Sequence, residues 1–218
     1  MQCGCDKVVH NAEAPKQLWT FDGLEARPAA NGSVVSMPSH PDADGETNGH
    51  GLLARLGDKL YFVNRDGAHG EELWAYDYDT DHAYLADDTC PGEEGGAPRT
   101  LTPLAYYDES GAERGMLIFS GAGCGVNEAG ILGAGRELWG FDGSNASLLA
   151  DINDRQLGAS SNPARFTTFD SMVVFVADDG VHGTELWAYR PCASGRVQCG
   201  AWLLADLAPG NASSNPHG

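Results

Sequence analysis

Short apolar runs, each closed by Gly, Asp or Pro, come round along this chain in groups of four. One group reads Leu52-Leu53-Ala54-Arg55-Leu56, Lys59-Leu60-Tyr61-Phe62-Val63, Glu72-Leu73-Trp74-Ala75-Tyr76 and Ala83-Tyr84-Leu85-Ala86. Another reads Ala164-Arg165-Phe166-Thr167-Thr168-Phe169, Met172-Val173-Val174-Phe175-Val176-Ala177, Glu185-Leu186-Trp187-Ala188-Tyr189 and Ala201-Trp202-Leu203-Leu204-Ala205. The runs have strand length, are rich in aromatic and branched residues, and show no helical period. Alternation puts Trp74 and Tyr76 on one face of a strand and Leu73 and Ala75 on the other, so both faces are apolar. A sheet of this kind needs cover on both sides.

The third run carries an aromatic doublet that recurs about every fifty residues, a spacing typical of propeller blades and related repeats. It is Gln17-Leu18-Trp19-Thr20-Phe21, then Glu72 to Tyr76, Glu137-Leu138-Trp139-Gly140-Phe141, and Glu185 to Tyr189, which together hold four of the five tryptophans. The expectation is an all-β chain of four-stranded antiparallel units, β-propeller-like, with about four blades over residues 1–218 in one domain. The units run approximately 1–48, 49–98, 99–162 and 163–218. The first begins at its second strand, and the chain stops where a further first strand would start, so the expectation includes a fragment of a longer array. The aromatic doublet reads as a packing anchor, since every unit repeats it. The third unit is longer, with extra residues around Gly123-Cys124-Gly125-Val126-Asn127-Glu128-Ala129-Gly130, and such departures are better site candidates than shared residues.

Charge narrows the partners. Asp and Glu total 31 against 13 Lys and Arg, a formal charge of −18 over 218 residues. Such a surface repels nucleic acid and anionic headgroups and suits weak association with cations. No apolar run is long enough to cross a bilayer as a helix, and the first residues contain no apolar signal-peptide core.

Six cysteines and three sequons point outward. Cys192 and Cys199 flank a turn-rich stretch between two predicted strands and are expected to form a disulfide. Cys90 and Cys124 are a second candidate pair, although six cysteines permit many pairings. Asn31, Asn145 and Asn211 each begin an Asn-x-Ser sequon in a Gly, Ser or Pro-rich loop and are candidate glycosylation sites.

With these words aligned, the chain resembles the ELWxxDGT-repeat proteins, loosely called hyalin-like repeats. Asp179-Gly180-Val181-His182-Gly183-Thr184-Glu185-Leu186-Trp187 carries the likeness, with Asp66-Gly67-Ala68-His69-Gly70 before Glu71-Glu72-Leu73-Trp74. Asp142-Gly143, Asp151-Ile152 and Asp206-Leu207-Ala208-Pro209-Gly210 supply the remaining words. The first unit departs by lacking the DGxHG turn. The resemblance implies an extracellular or surface-attached repeat protein with a propeller-like fold and without assigned catalysis.

Candidate chemistry is sparse. Asp66, His69 and Glu72 recur as Asp179, His182 and Glu185; metal binding or acid–base work is one reading, a repeated structural turn the other. Asp77, Asp79 and Asp81, with Asp88 at the twelfth position, imitate the oxygen spacing of a calcium loop, which would make calcium the one cofactor. His82 stands where that loop needs Gly. Asp42-Ala43-Asp44-Gly45-Glu46 is a weaker second candidate. No nucleophile elbow, phosphate loop or zinc-peptidase word is present. The sequence thus favours a secreted, non-enzymatic scaffold for adhesion, binding or assembly, with an extracellular protein, a glycan or its own copies as partner and no nucleic acid or membrane insertion. The alternative is a carbohydrate-active propeller enzyme using rim carboxylates near Cys124.

Overall fold

A computed structural model describes residues 18–21, 24–29, 53–124, 133, 135–192 and 198–214. The extra residues 125–132, the acidic stretch 42–46 and Asn31, Cys3 and Cys5 lie outside the described residues, wholly or, for the insertion, nearly so. The described residues form fourteen strands and no helix. A short pair, β1 (Trp19–Phe21) and β2 (Ala26–Pro28), is followed by three four-stranded antiparallel sheets.

The first sheet is β3 (Leu53–Leu56), β4 (Lys59–Asp66), β5 (Gly70–Asp77) and β6 (His82–Asp87). The second is β7 (Arg99–Tyr107), β8 (Glu113–Ala122), β9 (Arg136–Phe141) and β10 (Ala146–Ala150). The third is β11 (Ala164–Phe169), β12 (Met172–Asp178), β13 (Thr184–Arg190) and β14 (Gly200–Ala205). In each, spatial order follows chain order, the simplest meander.

Register shows how the doublet works. Phe62 pairs with Trp74, Phe119 with Trp139 and Phe175 with Trp187, and direct partners share a face. The opposite face carries the leucine of the same word. The second sheet is buried on both sides. Leu117, Phe119 and Phe141 join a core with Tyr61, Val63, Leu73 and Ala75 of the first sheet, while Met116, Ile118 and Leu138 join a second core with Val173, Phe175 and Tyr189 of the third. Aromatic residues of one sheet therefore pack on the Leu face of the sheet before it. Tyr61 and Phe141 meet across the first seam with ring centroids 5.2 Å apart. The two-sided apolar pattern of the strands is thereby satisfied, and the tryptophans are packing residues. The indole Nε1 of Trp74, Trp139 and Trp187 is in each case buried without a protein hydrogen-bond partner, one more property the three sheets share.

The first strands sit together along one side of the stack, β3 against β7 and β7 against β11, and β10 meets β14 on the other. The repeat extends to backbone irregularities. Each fourth strand is bulged opposite the Leu-Trp step, between Leu85 and Asp87, Leu148 and Ala150, and Leu203 and Ala205. Ala97 shortly before β7 and Thr100, its second residue, have φ of 43° and 58°, as Asn162 before β11 and Arg165, its second residue, have 48° and 58°. Pro98 and Pro163 follow the first residue of each pair and exclude the ordinary helical basin there.

Candidate functional site

The polar residues of the repeat are held by one another. Glu72, Glu137 and Glu185 open the third strand of their sheets and are fully buried. Each carboxylate receives donors from the loop that leaves the fourth strand. Glu137 accepts from the N–H of Ile152 at 2.9 Å and of Ser161 at 2.7 Å, and from the Ser161 hydroxyl at 2.5 Å. Glu185 accepts from the N–H of Leu207, Ala208 and Ser214 and from the Ser214 hydroxyl. Glu72 accepts from the N–H of Thr89, Cys90 and Gly96 and from the Thr89 hydroxyl. In the first sheet, Gly96 stands where the others have serine, and a Cβ there would collide with Thr89 Oγ1. The hydroxyl has moved along the loop, and the glycine makes room for it.

Each clasp gathers otherwise unsatisfied loop N–H groups onto one buried carboxylate and fixes the path from one sheet to the next. Burial pushes Glu72 and Glu137 above the ordinary carboxylate value, their hydrogen bonds offsetting only part of it. At Glu185 burial acts in the same direction, but the bonds from Ser214, Leu207 and Ala208 outweigh it and the pKa falls.

The Asp-Gly-x-His turns are a separate device. Asp66 Oδ1 accepts from the N–H of Ala68 and His69, and Asp179 Oδ1 from Val181 and His182. The second oxygen of each meets the imidazole Nδ1, at 2.8 Å in one turn and 2.7 Å in the other. Asp, His and Glu thus do not converge on a common point: the first two close the β4–β5 or β12–β13 turn, and the third enters the clasp. Gly70 and Gly183 follow the histidines with φ of 71° and 70°. At Gly70 a Cβ would lie 2.5 Å from the Gly95 nitrogen, so only glycine fits.

The hydrogen bond to Asp66 raises the pKa of His69, and that to Asp179 does the same for His182, both from an ordinary 6.5. A raised histidine contributes its stability in full below 6.5 and loses it as pH climbs through the folded-state value. Asp66 is lowered by its bonds to His69; at Asp179 burial opposes the charge but the bonds to His182 and Val181 prevail. Their contribution is present above the ordinary 3.8 and fades as pH falls below it. The melting temperature is therefore expected to drop as pH climbs above 6.5 and through the raised folded-state values, and a His69→Gln, His182→Gln double variant to flatten that slope. Imidazole NMR titration midpoints at or below 6.5 would contradict the pairing.

The turns between third and fourth strands differ from sheet to sheet and lie at one edge of the stack. In the first sheet this is the acidic tip. Asp77 Oδ1 accepts from the N–H of Asp79 and Thr80, a turn-closing arrangement. Asp81, at φ 50°, accepts from the Tyr76 hydroxyl at 2.5 Å and pairs with Arg27 of β2 at 2.7 Å. Asp88 is elsewhere. Asp77 pairs with His82 at one end of β6 and Leu73 with Asp87 at the other, so Asp88 follows the far end of the strand. The calcium set Asp77, Asp79, Asp81 and Asp88 does not assemble: a hairpin carries its twelfth position away from the tip, whereas a calcium loop folds it back. Among the described residues no group of three or more His, Cys, Asp or Glu is placed to hold a metal ion.

In the second sheet the same turn carries Asn145, exposed, with its N–H donated to Asp142. In the third it is the hairpin closed by the Cys192–Cys199 disulfide, with Cα atoms 4.9 Å apart. Asn211, also exposed, lies in the clasp loop after β14. No disulfide joins Cys90 and Cys124. The Cys90 N–H is tied to Glu72, and the Cys124 thiol donates to the carbonyl of the adjacent Thr89 at 3.5 Å. The sequence reading missed the clasp glutamates as a set. Their signal was present: an acid at one position of the word in three units, followed at the end of two of those units by Ser-Ser-Asn-Pro.

No family model matches the chain, and no curated protein matches it. Among solved structures it is similar to the computationally designed Ika8 protein, in the crystal packing No.1 in P63, at 14% identity and a TM-score of 0.28. That match covers 86% of this chain and 58% of the designed one, so the chain spans a little over half the designed protein's length. No helix among the described residues is long and apolar enough to cross a membrane.

Proposed function

We propose that the three stacked sheets are an arc of a β-propeller and that the protein is a secreted, non-enzymatic repeat scaffold of the ELWxxDGT type. It presents variable turns on one edge to an extracellular protein, a glycan or its own copies. The observation that carries this reading is the commitment of the repeated polar residues. Glu72, Glu137 and Glu185 serve the clasps, and the Asp66–His69 and Asp179–His182 pairs close turns. The shared chemistry holds sheets together, and variation falls on the β5–β6, β9–β10 and β13–β14 turns, as in folds that graft recognition onto a rigid frame. The Cys192–Cys199 bridge and the exposed sequons at Asn145 and Asn211 support an oxidising, glycosylating compartment.

Expression through a secretory pathway is expected to yield oxidised Cys192–Cys199 and glycans lost in Asn145→Gln and Asn211→Gln. A panel of chromogenic glycosides and a glycan array are expected to show binding without turnover. Turnover abolished by a single rim carboxylate substitution would replace the scaffold by a carbohydrate-active enzyme.

A further inference from the structure

Among the described residues the packing rule between sheets leaves two faces unmatched, one at each end of the stack. At the first seam the Leu73 and Ala75 face of the first sheet is covered by Phe119, Trp139 and Phe141. At the second, the Leu138 face, with Leu149 of the bulge beside it, is covered by Phe175, Trp187 and Tyr189. Leu73 and Leu138 are consequently 0% exposed. The third sheet presents the same face through Val174, Leu186, Trp202 and Leu204. Leu186 is only partly buried, and Leu204, the counterpart of Leu149, is 43% exposed.

The other end shows the complement. Leu18, in the position of Leu73, is buried in the first core together with Trp74 and Tyr76. Trp19, in the position of Trp74, is 37% exposed. A Leu face without its aromatic cover and an aromatic without its Leu face thus occupy opposite ends of one chain. Among the described residues neither is buried on the other, and no described strand closes the contact between them.

We propose that the Leu186–Leu204 face of one copy receives the Trp19 end of a second copy, a head-to-tail junction that repeats the internal seams. The inference rests on the scaffold reading above and names its self-assembling surface. The occupant is a second copy because the same two kinds of face already meet twice within the chain, and because a contact between unlike faces propagates from copy to copy. The net charge of −18 opposes the approach of copies, so association strengthens as salt screens it.

Sedimentation velocity across a concentration series, at low and at physiological salt, tests the junction. The wild-type chain is expected to form a concentration-dependent series of species, shifted upward by salt. Leu204→Glu and Trp19→Glu, both at exposed positions, are each expected to weaken association by about tenfold or more, with the melting temperature unchanged at concentrations where the wild type is itself monomeric. An equimolar mixture of the two variants retains one intact junction and is expected to give a dimer and nothing larger. A monomeric wild type at every concentration overturns the proposal. So does a Trp19→Glu variant that still associates, since the Leu face would then pair with itself. A lower melting temperature in Leu204→Glu than in the wild type, both at concentrations where each is monomeric, also overturns it, since the face would then be closed within one chain. The scaffold reading stands or falls separately, on secretion, glycan occupancy and absence of turnover.

Discussion

Glu137→Gln is expected to destabilise the protein by about 2–3 kcal/mol, and Glu137→Ala by about 4 kcal/mol. The carboxylate is fully buried and accepts on both oxygens, from the Ser161 N–H on one and from Ile152 N–H and Ser161 hydroxyl on the other. An amide has the same shape but only one accepting end. Whichever way it is turned, its NH₂ group faces a backbone N–H that cannot turn away. Alanine leaves all three donors without partners in a site closed to water, where an unmet donor costs roughly 1–3 kcal/mol, less whatever the loop recovers by relaxing. Urea unfolding reads the effect, with Glu113→Gln, an exposed glutamate of β8, as the control expected to stay within about 0.5 kcal/mol. A glutamine variant as stable as the wild type would mean that the charge is not what gathers the loop. The equivalent changes at Glu72 and Glu185 are expected to act in the same direction, since the same loop path depends on each.

Phe141→Ala is expected to cost about 3–5 kcal/mol. Phe141 is 1% exposed, pairs in register with Leu117, and meets Tyr61 across the first seam. Its removal opens a cavity between two sheets, and sheets that pack only through such seams cannot collapse around it without shifting as bodies. Phe141→Leu is expected to recover most of the loss. A cycle with Tyr61→Ala is expected to show a coupling of about 0.5–1.5 kcal/mol, the contribution of the ring pair beyond its buried area. Leu148→Ala, at an exposed position on the adjacent strand, should leave stability nearly unchanged. A Phe141→Ala loss below about 1 kcal/mol would show that the doublet is not the anchor of the seam. A biphasic unfolding curve in this variant would show the first sheet separating from the other two, as expected of repeats joined only to their neighbours.

Strand positions were legible because they are written locally. The run Ala164 to Phe169 is β11 as it stands, and Glu185 to Tyr189 lies inside β13. Leu73 and Trp74 alternate across their strand whatever surrounds it, so two apolar faces could be read before any neighbour was known. The Cys192–Cys199 pair was legible for the same reason, since a hairpin brings its own ends together. The four carboxylates of the calcium set are not brought together, because spacing along a chain is not distance across it. A strand of six residues, β6, lies between Asp81 and Asp88 and carries the second away from the first.

The period-two pattern and its recurrence therefore determined, without any structure, that the chain is built of four-stranded units needing cover on both faces. They did so because side-chain alternation depends only on a residue's own strand. What covers each face, where the three glutamates point and which end faces stay open were decided by tertiary structure alone. Those properties rest on register between strands and on loops that return to the start of another strand. Glu137 and Ser161 are distant in sequence and 2.7 Å apart in the fold. A carboxylate that reads as one more surface acid in so acidic a chain becomes a buried clasp only when the loop closes over it.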